Sequence, residues 1–396
     1  MKCFFILKNG YPNGQASVAR VKSYAKGFKN ENIGIEILLP VSSEKYGRKP
    51  KNTSSSGYDK NGIFYKYMSG SALRKRNIFL RKINDIYGYI NTLFFIYTHA
   101  QPKNKDFIIV YEGGIIWHYL CAFIAHCKKI NAIMELNELP YGTSIETKST
   151  IRHRTIMLKN VFHHYDYFLA ISEPLASLAH KYAPQAQIIK VPIIVEQNLQ
   201  GEDWPNKPLY IFHSGTLLEQ KDGILGMLEA FGIASKKISI PIYYYLTGNI
   251  EDSPHSKQIK QIISKYSIEE NVKFTGFLSE TELRRYQKNC FLTIINKYET
   301  QQNIYCFSTK MGEYFSFSKP VIITSVGEAT NYLKDGFNAY IVHPNKPNEI
   351  ADKIIEAVNN PTKNTEIGKN AHKLVEKEFN CNYQAKRIIN LIKQES

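Results

Sequence analysis

The chain has 396 residues, 43% hydrophobic and 22% charged, a globular composition that excludes disordered and fibrous proteins. Its 51 Lys+Arg against 35 Asp+Glu leave a formal net charge of +16. The excess is unevenly placed: residues 1–195 carry 27 basic and 12 acidic side chains, whereas residues 196–396 carry 24 and 23.

The first half is therefore expected to meet something anionic, whether a membrane surface, a nucleic acid or a phosphorylated substrate. Six cysteines (Cys3, Cys121, Cys127, Cys290, Cys306, Cys381) form no C-x-x-C pair and are too sparse for a disulfide framework. That usage predicts a reduced, cytoplasmic chain.

In chain order, the apolar run Cys3-Phe4-Phe5-Ile6-Leu7 is shorter than the roughly 7–15 residues of a signal segment and reads as a first buried strand. Further runs follow at 34–39, 107–111, 132–136 and 167–171, then at 209–213, 242–247, 271–275, 291–295, 320–324 and 339–342. Apolar on consecutive residues, they predict strands covered on both faces of parallel sheets. Helical patterns lie between them. Residues 16–29, opening near Gln15, put Val18, Val21, Ala25 and Phe28 on one face, and 224–234 does the same with Ile224, Leu228 and Phe231. Ser279-Glu280-Thr281-Glu282 has capping-box spacing.

The alternation predicts an α/β chain of two doubly wound, Rossmann-like domains facing each other across a cleft. The first covers 1–195 and the second 196–379, with the C-terminal helix, about 380–396, packing back on the first. The aperiodic segment between Pro192 and Pro208 reads as the hinge, and the polar stretch 43–62 as a loop. Residues 74–97 place Phe79, Ile83, Ile86 and Ile90 on one helical face with basic residues elsewhere. This pattern fits either a membrane-surface helix or a packed helix with a solvated basic face. The longest apolar run near it, Leu93–Tyr97, is far short of the ~20 residues of a spanning helix.

Three stretches carry chemistry. Gly10 and Gly14 follow the first strand and precede a helix, where free amides and positive potential suit a phosphate. The run His213–Gly223, with Lys221, repeats that arrangement in the second half. In Tyr305–Tyr314, Ser308 or Thr309 caps a helix, Lys310 adds charge and Glu313 can accept from a ribose diol. No D-x-D or clustered His/Cys spacing reads as a metal site, so no metal is expected.

Together these stretches resemble the GT-B nucleotide-sugar glycosyltransferases, in particular the large retaining family 4 (group 1) type that builds bacterial polysaccharides. The residues that carry the likeness are Gly215-Thr216-Leu217 with Lys221-Asp222-Gly223, Val272-Lys273-Phe274-Thr275-Gly276, and Glu313 followed by Lys319-Pro320-Val321-Ile322. Asp335-Gly336-Phe337-Asn338-Ala339 and, in the first half, Asn137-Glu138-Leu139-Pro140 extend it along essentially the whole chain.

The resemblance implies that Lys221 neutralises a donor diphosphate, that Gly14 and Gly215 give backbone access, and that Glu313 holds the nucleotide ribose. It places Gly276, Phe277 and Leu278 beside the base. Tyr305 stands where the family often has the first Glu of E-x7-E, and Thr216 where many relatives carry Arg. Ser308, Thr309 and Lys310 are expected to compensate, with Glu299, Gln302 or Asn303 replacing the missing carboxylate. Glu112 is the candidate to face the reacting sugar; Glu138 and the basic Arg74, Lys75 and Arg76 belong to the acceptor side.

The implied function is transfer of a sugar from a nucleoside-diphosphate sugar to a lipid-linked or polysaccharide precursor. It would occur at the inner face of the plasma membrane, on anionic lipid, without metal or nucleic acid. A binding or scaffold protein without turnover and another GT-B activity, such as an epimerase, stay open alternatives.

Overall fold

The computed structural model describes residues 1–394 except 15, 48, 144, 145, 197 and 198; Gln15 and the last two residues of the expected C-terminal helix thus lie outside the described residues. The chain divides into two compact units. One is Met1–Ile194 together with the segment from Cys381 onward, the other Val195–Asn380.

The first unit is built on β1 (Lys2–Ile6), β2 (Gly34–Leu39), β3 (Ser56–Tyr58), β4 (Phe64–Tyr67), β5 (Phe107–Val110), β6 (Asn131–Leu136), β7 (Tyr167–Ala170) and β8 (Gln187–Lys190). They lie in the order β3-β4-β2-β1-β5-β6-β7-β8. All neighbours are parallel except β3 on β4. The central strands are the runs of consecutive apolar residues, and all four residues of β5 and of β7 are buried.

Three strands went unread in the sequence. β3 falls within the stretch 43–62 taken as a loop, and β4 and β8 carry alternating or mixed side chains, Phe-Tyr-Lys-Tyr and Gln-Ile-Ile-Lys. Each lies at or beside an edge of the sheet, where one side or face stays wet and the continuous apolar signal of a central strand is lost.

Helix Ala16–Asn30 buries Val18, Val21, Ala25 and Phe28 on this sheet, the face that periodicity gives it. The helix Cys381–Gln394 lies against it, with Ala385, Ile388, Ile389 and Ile392 in the same core. The approach is close: a Cβ on Gly27 would stand 2.4 Å from the Cys381 carbonyl oxygen. Arg20, buried on that helix, pairs with Glu135 of β6 at 2.6 Å and donates to the carbonyls of Pro192 and Val191 at 2.6 and 2.9 Å. Tyr24 completes the set by donating to the second Glu135 oxygen at 2.8 Å. A buried pair is tolerated when every charge is bonded in this way, and here it ties the end of the unit to its middle.

The second unit holds β9 (Tyr210–His213), β10 (Tyr243–Leu246), β11 (Val272–Phe274), β12 (Leu292–Ile295), β13 (Val321–Thr324) and β14 (Tyr340–Val342), in the order β11-β10-β9-β12-β13-β14 and parallel throughout. Helices Ile224–Ser235 and Pro347–Asn359 cover one face. The Ser279 capping box forms as the spacing dictates, Ser279 and Glu282 bonding each other's amides.

In each unit the chain winds outward from one central strand, then returns to the other side of it. The strand order reverses between β1 and β5 in the first unit and between β9 and β12 in the second. The loops leaving these strand pairs open a crevice at their carboxyl ends, the place where open α/β sheets bind ligands.

Candidate functional site

The second unit assembles its polar groups at the β9/β12 crevice. β9 ends at His213, and the loop after it returns through the short helix Glu219–Asp222. Asp222 is buried at the centre. Its Oδ2 accepts from the Thr216 amide at 2.9 Å and the Thr216 hydroxyl at 3.1 Å, and its Oδ1 takes the Lys310 ammonium. Burial opposes the Asp222 charge, but the Lys310 ammonium, with His213 and the Thr216 amide, holds the carboxyl well below the usual carboxylate range.

His213 is also buried, with Nδ1 3.3 Å from the Ile294 carbonyl and Nε2 4.0 Å from Asp222. Burial first, and the Lys310 charge second, push its pKa down to about 3, so the imidazole is neutral. Gly215 is squeezed between them: a Cβ there would lie 2.3 Å from His213 Nε2 and 2.7 Å from Asp222 Oδ2. Its own amide and carbonyl are both taken by Thr247 Oγ1, at 2.8 and 3.0 Å. The glycine is needed for close packing of this cluster, and its amide is already engaged.

Lys221 is exposed beside the cluster. Lys297, just after β12, donates its Nζ to the Lys221 carbonyl. Helix Thr309–Ser316 begins with Ser308 at its N-cap, and Ser308 makes no side-chain cap bond. Lys310 leaves its first turn towards Asp222. One turn on, Glu313 receives the Gln287 amide at 2.6 Å, and burial raises its carboxyl above the usual range despite that bond and the Lys310 charge. Tyr314 accepts from the Ser214 amide at 3.0 Å and pins the start of the β9 loop to this helix.

Gly276 has φ +69 and lets its carbonyl take the Gly248 amide at 2.8 Å. Phe277 next to it is 80% exposed, and Leu278 is half-buried. Asn303 is buried and spends its side-chain amide on the Tyr298 carbonyl, at 2.9 Å. Of the donor residues read from the sequence, the structure brings Gly215, Thr216, Lys221, Lys310 and Glu313 into one crevice with Ser308 and Thr309. His213, Thr247, Gln287, Lys297 and Tyr314 join them. A strand-terminal position marks His213 and Lys297 in sequence, but nothing local signals their partners.

In the first unit Gly14 precedes helix Ala16–Asn30, where a Cβ would stand 2.2 Å from Val18 Cγ2 and 2.7 Å from the Gly10 carbonyl. At the β1/β5 crevice the Asn9 amide spans both oxygens of Glu112 at 2.8 Å. Burial and then the Glu138 charge raise the Glu112 carboxyl. Glu138 itself is exposed after β6. Arg74 donates to the Ser42 carbonyl at 3.0 Å, Arg76 lies 5.4 Å over the Tyr46 ring, and Lys75 is exposed.

The following helix, Ile78–His99, buries only Gly88, Thr92 and Ile96. It approaches so closely that a Cβ on Gly88 would meet the Pro40 carbonyl oxygen at 1.8 Å. Its large apolar residues, Ile78, Phe79, Ile83, Ile86, Ile90 and Phe94, are exposed. Helix Ile115–Lys128 stands beside it, Trp117 against Tyr89 with ring centroids 4.6 Å apart, and leaves Ile116, Tyr119 and Phe123 exposed. Among the described residues no helix is long and apolar enough to cross a membrane, and no group of three or more His, Cys, Asp or Glu could hold a metal ion.

Comparison with known proteins agrees with this construction. Residues 195–374 match the family described as glycosyl transferases group 1. A protein of Methanocaldococcus jannaschii, described as an uncharacterized glycosyltransferase, is 23% identical over 344 residues, covering 80% of this chain and 92% of that protein. Among solved structures, Anabaena HepE in complex with UDP and glucose superposes with a TM-score of 0.71 at 14% identity over the whole of both chains. Sucrose-phosphate synthase from Thermosynechococcus elongatus gives 0.72 at 14%, covering 99% of this chain and 98% of its own. The α/β architecture of two Rossmann-like domains is the GT-B fold.

Proposed function

We propose the following reaction for a GT-B transferase whose residues 195–374 match the group 1 glycosyl transferases. The chain moves a sugar, with retention, from a nucleoside-diphosphate sugar to a lipid-linked or polysaccharide precursor in bacterial surface-glycan synthesis. The observation that carries the donor half is the β9/β12 crevice, where Lys310 pairs with the buried Asp222 and Lys297 bonds the carbonyl of the adjacent, exposed Lys221. Departure of a nucleoside diphosphate builds negative charge on the leaving oxygen, and fixed cations in a site of low polarity stabilise that charge more than the ground state. Lys221 would meet the diphosphate directly without a divalent ion. Glu313 would accept from a ribose hydroxyl, and Phe277 and Leu278 would flank the base. The Glu112 carboxylate, held by Asn9, would orient the acceptor hydroxyl. UDP and glucose, which the HepE crystals hold, are the first donor chemistry to test.

The acceptor half rests on the apolar surface of Ile78–His99 and Ile115–Lys128. Exposed Lys75, Arg76, Lys82, Lys103, Lys105 and Lys129 lie on these helices or within six residues of their ends in the chain. An apolar face of this kind with basic residues around it suits an anionic bilayer, each basic residue near the lipid adding roughly 1 kcal/mol. The protein would then sit peripherally on the cytoplasmic leaflet, where a lipid-linked precursor is presented.

A thermal-shift screen over nucleotide-sugars, followed by detection of released nucleoside diphosphate, tests the donor reading. One nucleotide-sugar should raise the melting temperature, and Lys221→Ala and Glu313→Ala should abolish the rise. Undiminished binding in both variants would overturn the assignment of the crevice.

A further inference from the structure

Lys297 is held more firmly than a surface lysine needs to be. Its amide donates to Thr324 Oγ1 at 2.8 Å, and the same hydroxyl donates to the Lys297 carbonyl at 2.9 Å, so the end of β13 grips its backbone from both sides. Asn296, before it, gives its side-chain amide to the Gly223 carbonyl at 2.9 Å. These bonds aim Lys297 into the β9 loop, where its Nζ donates to the Lys221 carbonyl.

The charges around that ammonium do not balance. Lys310, Asp222, Lys221 and the Cys306 thiol act on it, and Glu219, on the short helix with Lys221, gives its oxygens to the Leu225 amide and the Tyr298 hydroxyl. His213, at the end of β9, is neutral. Thr216 and Lys310 already occupy both oxygens of Asp222. Three ammonium groups therefore stand beside two carboxylates whose oxygens are already engaged. Burial first, then Lys310, bring the Lys297 pKa down to about 8. Like charges are held together at a cost unless an anion between them recovers it. The β9/β12 reversal point is where such an anion would sit.

We propose that Lys297 is a third phosphate-binding cation of the donor crevice, bonding the diphosphate from the β12 side while Lys221 bonds it from the β9 side. The proposal rests on the donor reading above and adds a residue to it. Lys310, by contrast, is committed to Asp222 and acts by fixing that carboxylate and the loop it anchors.

Titration calorimetry with inorganic pyrophosphate, on the full chain and on Lys297→Met and Lys297→Arg, tests this. Loss of one charge-assisted bond should weaken pyrophosphate binding about tenfold or more in Lys297→Met at pH 7.5. Lys297→Arg should stay within about twofold of the wild type, because the guanidinium keeps the charge. Between pH 7.5 and 9.5 the wild type should lose affinity relative to Lys297→Arg, since its lysine sheds a proton and the arginine does not. The ratio of the two affinities cancels the titration of pyrophosphate itself.

A purely structural lysine would leave that ratio flat, and a flat ratio overturns the proposal. So does undiminished pyrophosphate binding by Lys297→Met. If Lys297→Met unfolds, the ratio with Lys297→Arg decides alone. Displacement of pyrophosphate by a nucleoside diphosphate supports the donor assignment, and displacement by a prenyl diphosphate alone overturns it. A wild type that binds neither pyrophosphate nor any nucleoside diphosphate refutes the donor reading itself.

Discussion

Lys310 and Asp222, 88 positions apart in the chain, form an ion pair in which the carboxylate is buried and the lysine half-covered. The pair joins the loop after β9 to the helix that carries Glu313, so it fixes where two halves of the donor crevice stand. Removing the lysine leaves an uncompensated buried carboxylate, which typically costs about 3–5 kcal/mol. Lys310→Met should lower the melting temperature markedly and abolish donor-induced stabilisation. Lys310→Met and Asp222→Asn should be strongly non-additive in a double-mutant cycle read by urea denaturation. Additive losses would show that the pair is not the unit that matters.

Acid should unfold the second unit through the same cluster. The His213 pKa lies near 3 in the folded chain, below the ordinary 6.5, so folding requires the ring to be neutral. Its contribution to stability is complete above about pH 6.5 and is lost as pH falls towards 3. Asp222, held below its ordinary value by Lys310 against the effect of burial, loses its contribution in the same direction at lower pH. Unfolding free energies from urea titrations between pH 7 and pH 4 should fall with a slope of up to about 1.4 kcal/mol per pH unit from His213 alone. His213→Gln should flatten that slope between pH 6.5 and 4.

Gly215 tolerates no side chain, because the atoms a Cβ would strike belong to two buried groups that cannot move independently. Gly215→Ala is expected to displace Asp222 and cost about 2 kcal/mol or more, in the range of overpacking a full core. Gly14→Ala would meet the buried, β-branched Val18 at 2.2 Å and the Gly10 carbonyl at 2.7 Å, so it too should lose stability, in the first unit rather than the second. Chemical denaturation and thermal shift of the two variants separate these outcomes.

What could be read before the fold was known divides along a physical line. β9 and β12 are legible because a strand buried on both faces must be apolar at every residue, and the Ser279 box because its two partners sit three residues apart. Lys221 stands out by its place at a strand-to-helix junction, and Glu313 by its place one turn into a helix that runs into the next strand. The partners that set their behaviour do not. Gln287 reaches Glu313 across 26 positions, Lys297 reaches Lys221 across 76, and Lys310 reaches Asp222 across 88. Lys310, expected to compensate with Ser308 and Thr309, also bonds the buried Asp222. The apolar stripe at 78–97 left two readings open. Its small residues Gly88 and Thr92 form the face that packs and leave the bulky residues outside, the arrangement on which the membrane proposal rests.

Glu138 should control the protonation of Glu112. Burial, followed by the Glu138 charge, raises the Glu112 carboxyl above its ordinary value, against the Asn9 bonds and Lys8. Removing the neighbouring charge makes ionisation easier, so Glu138→Gln should move the acid limb of kcat/KM to lower pH. Asn9→Ala takes away hydrogen bonds to the ionised form and should move it to higher pH. An acid limb unmoved by either variant would mean that Glu112 does not act as a carboxylate in the reaction.

The exposed surface of Ile78–His99 should bind vesicles through two separable contributions. Apolar insertion depends on Phe79 and Ile83, both exposed and near the start of the helix. Attraction to anionic lipid depends on Lys75 and Arg76; Arg74 is the poorer choice for a test, because its guanidinium supports the Ser42 carbonyl. Vesicles containing phosphatidylglycerol should retain the wild type in flotation, and less of it as salt rises, because exposed charges are screened within about 10 Å at 0.1 M. Phe79→Asp with Ile83→Asp should abolish retention at every salt concentration. Lys75→Gln with Arg76→Gln should weaken retention at low salt and make it less salt-sensitive. Both pairs belong to the first unit, so donor-induced thermal stabilisation should persist in both. Retention of the aspartate pair at the wild-type level would overturn the membrane reading, and a parallel loss of donor binding would show that the substitutions had disturbed the fold rather than a lipid contact.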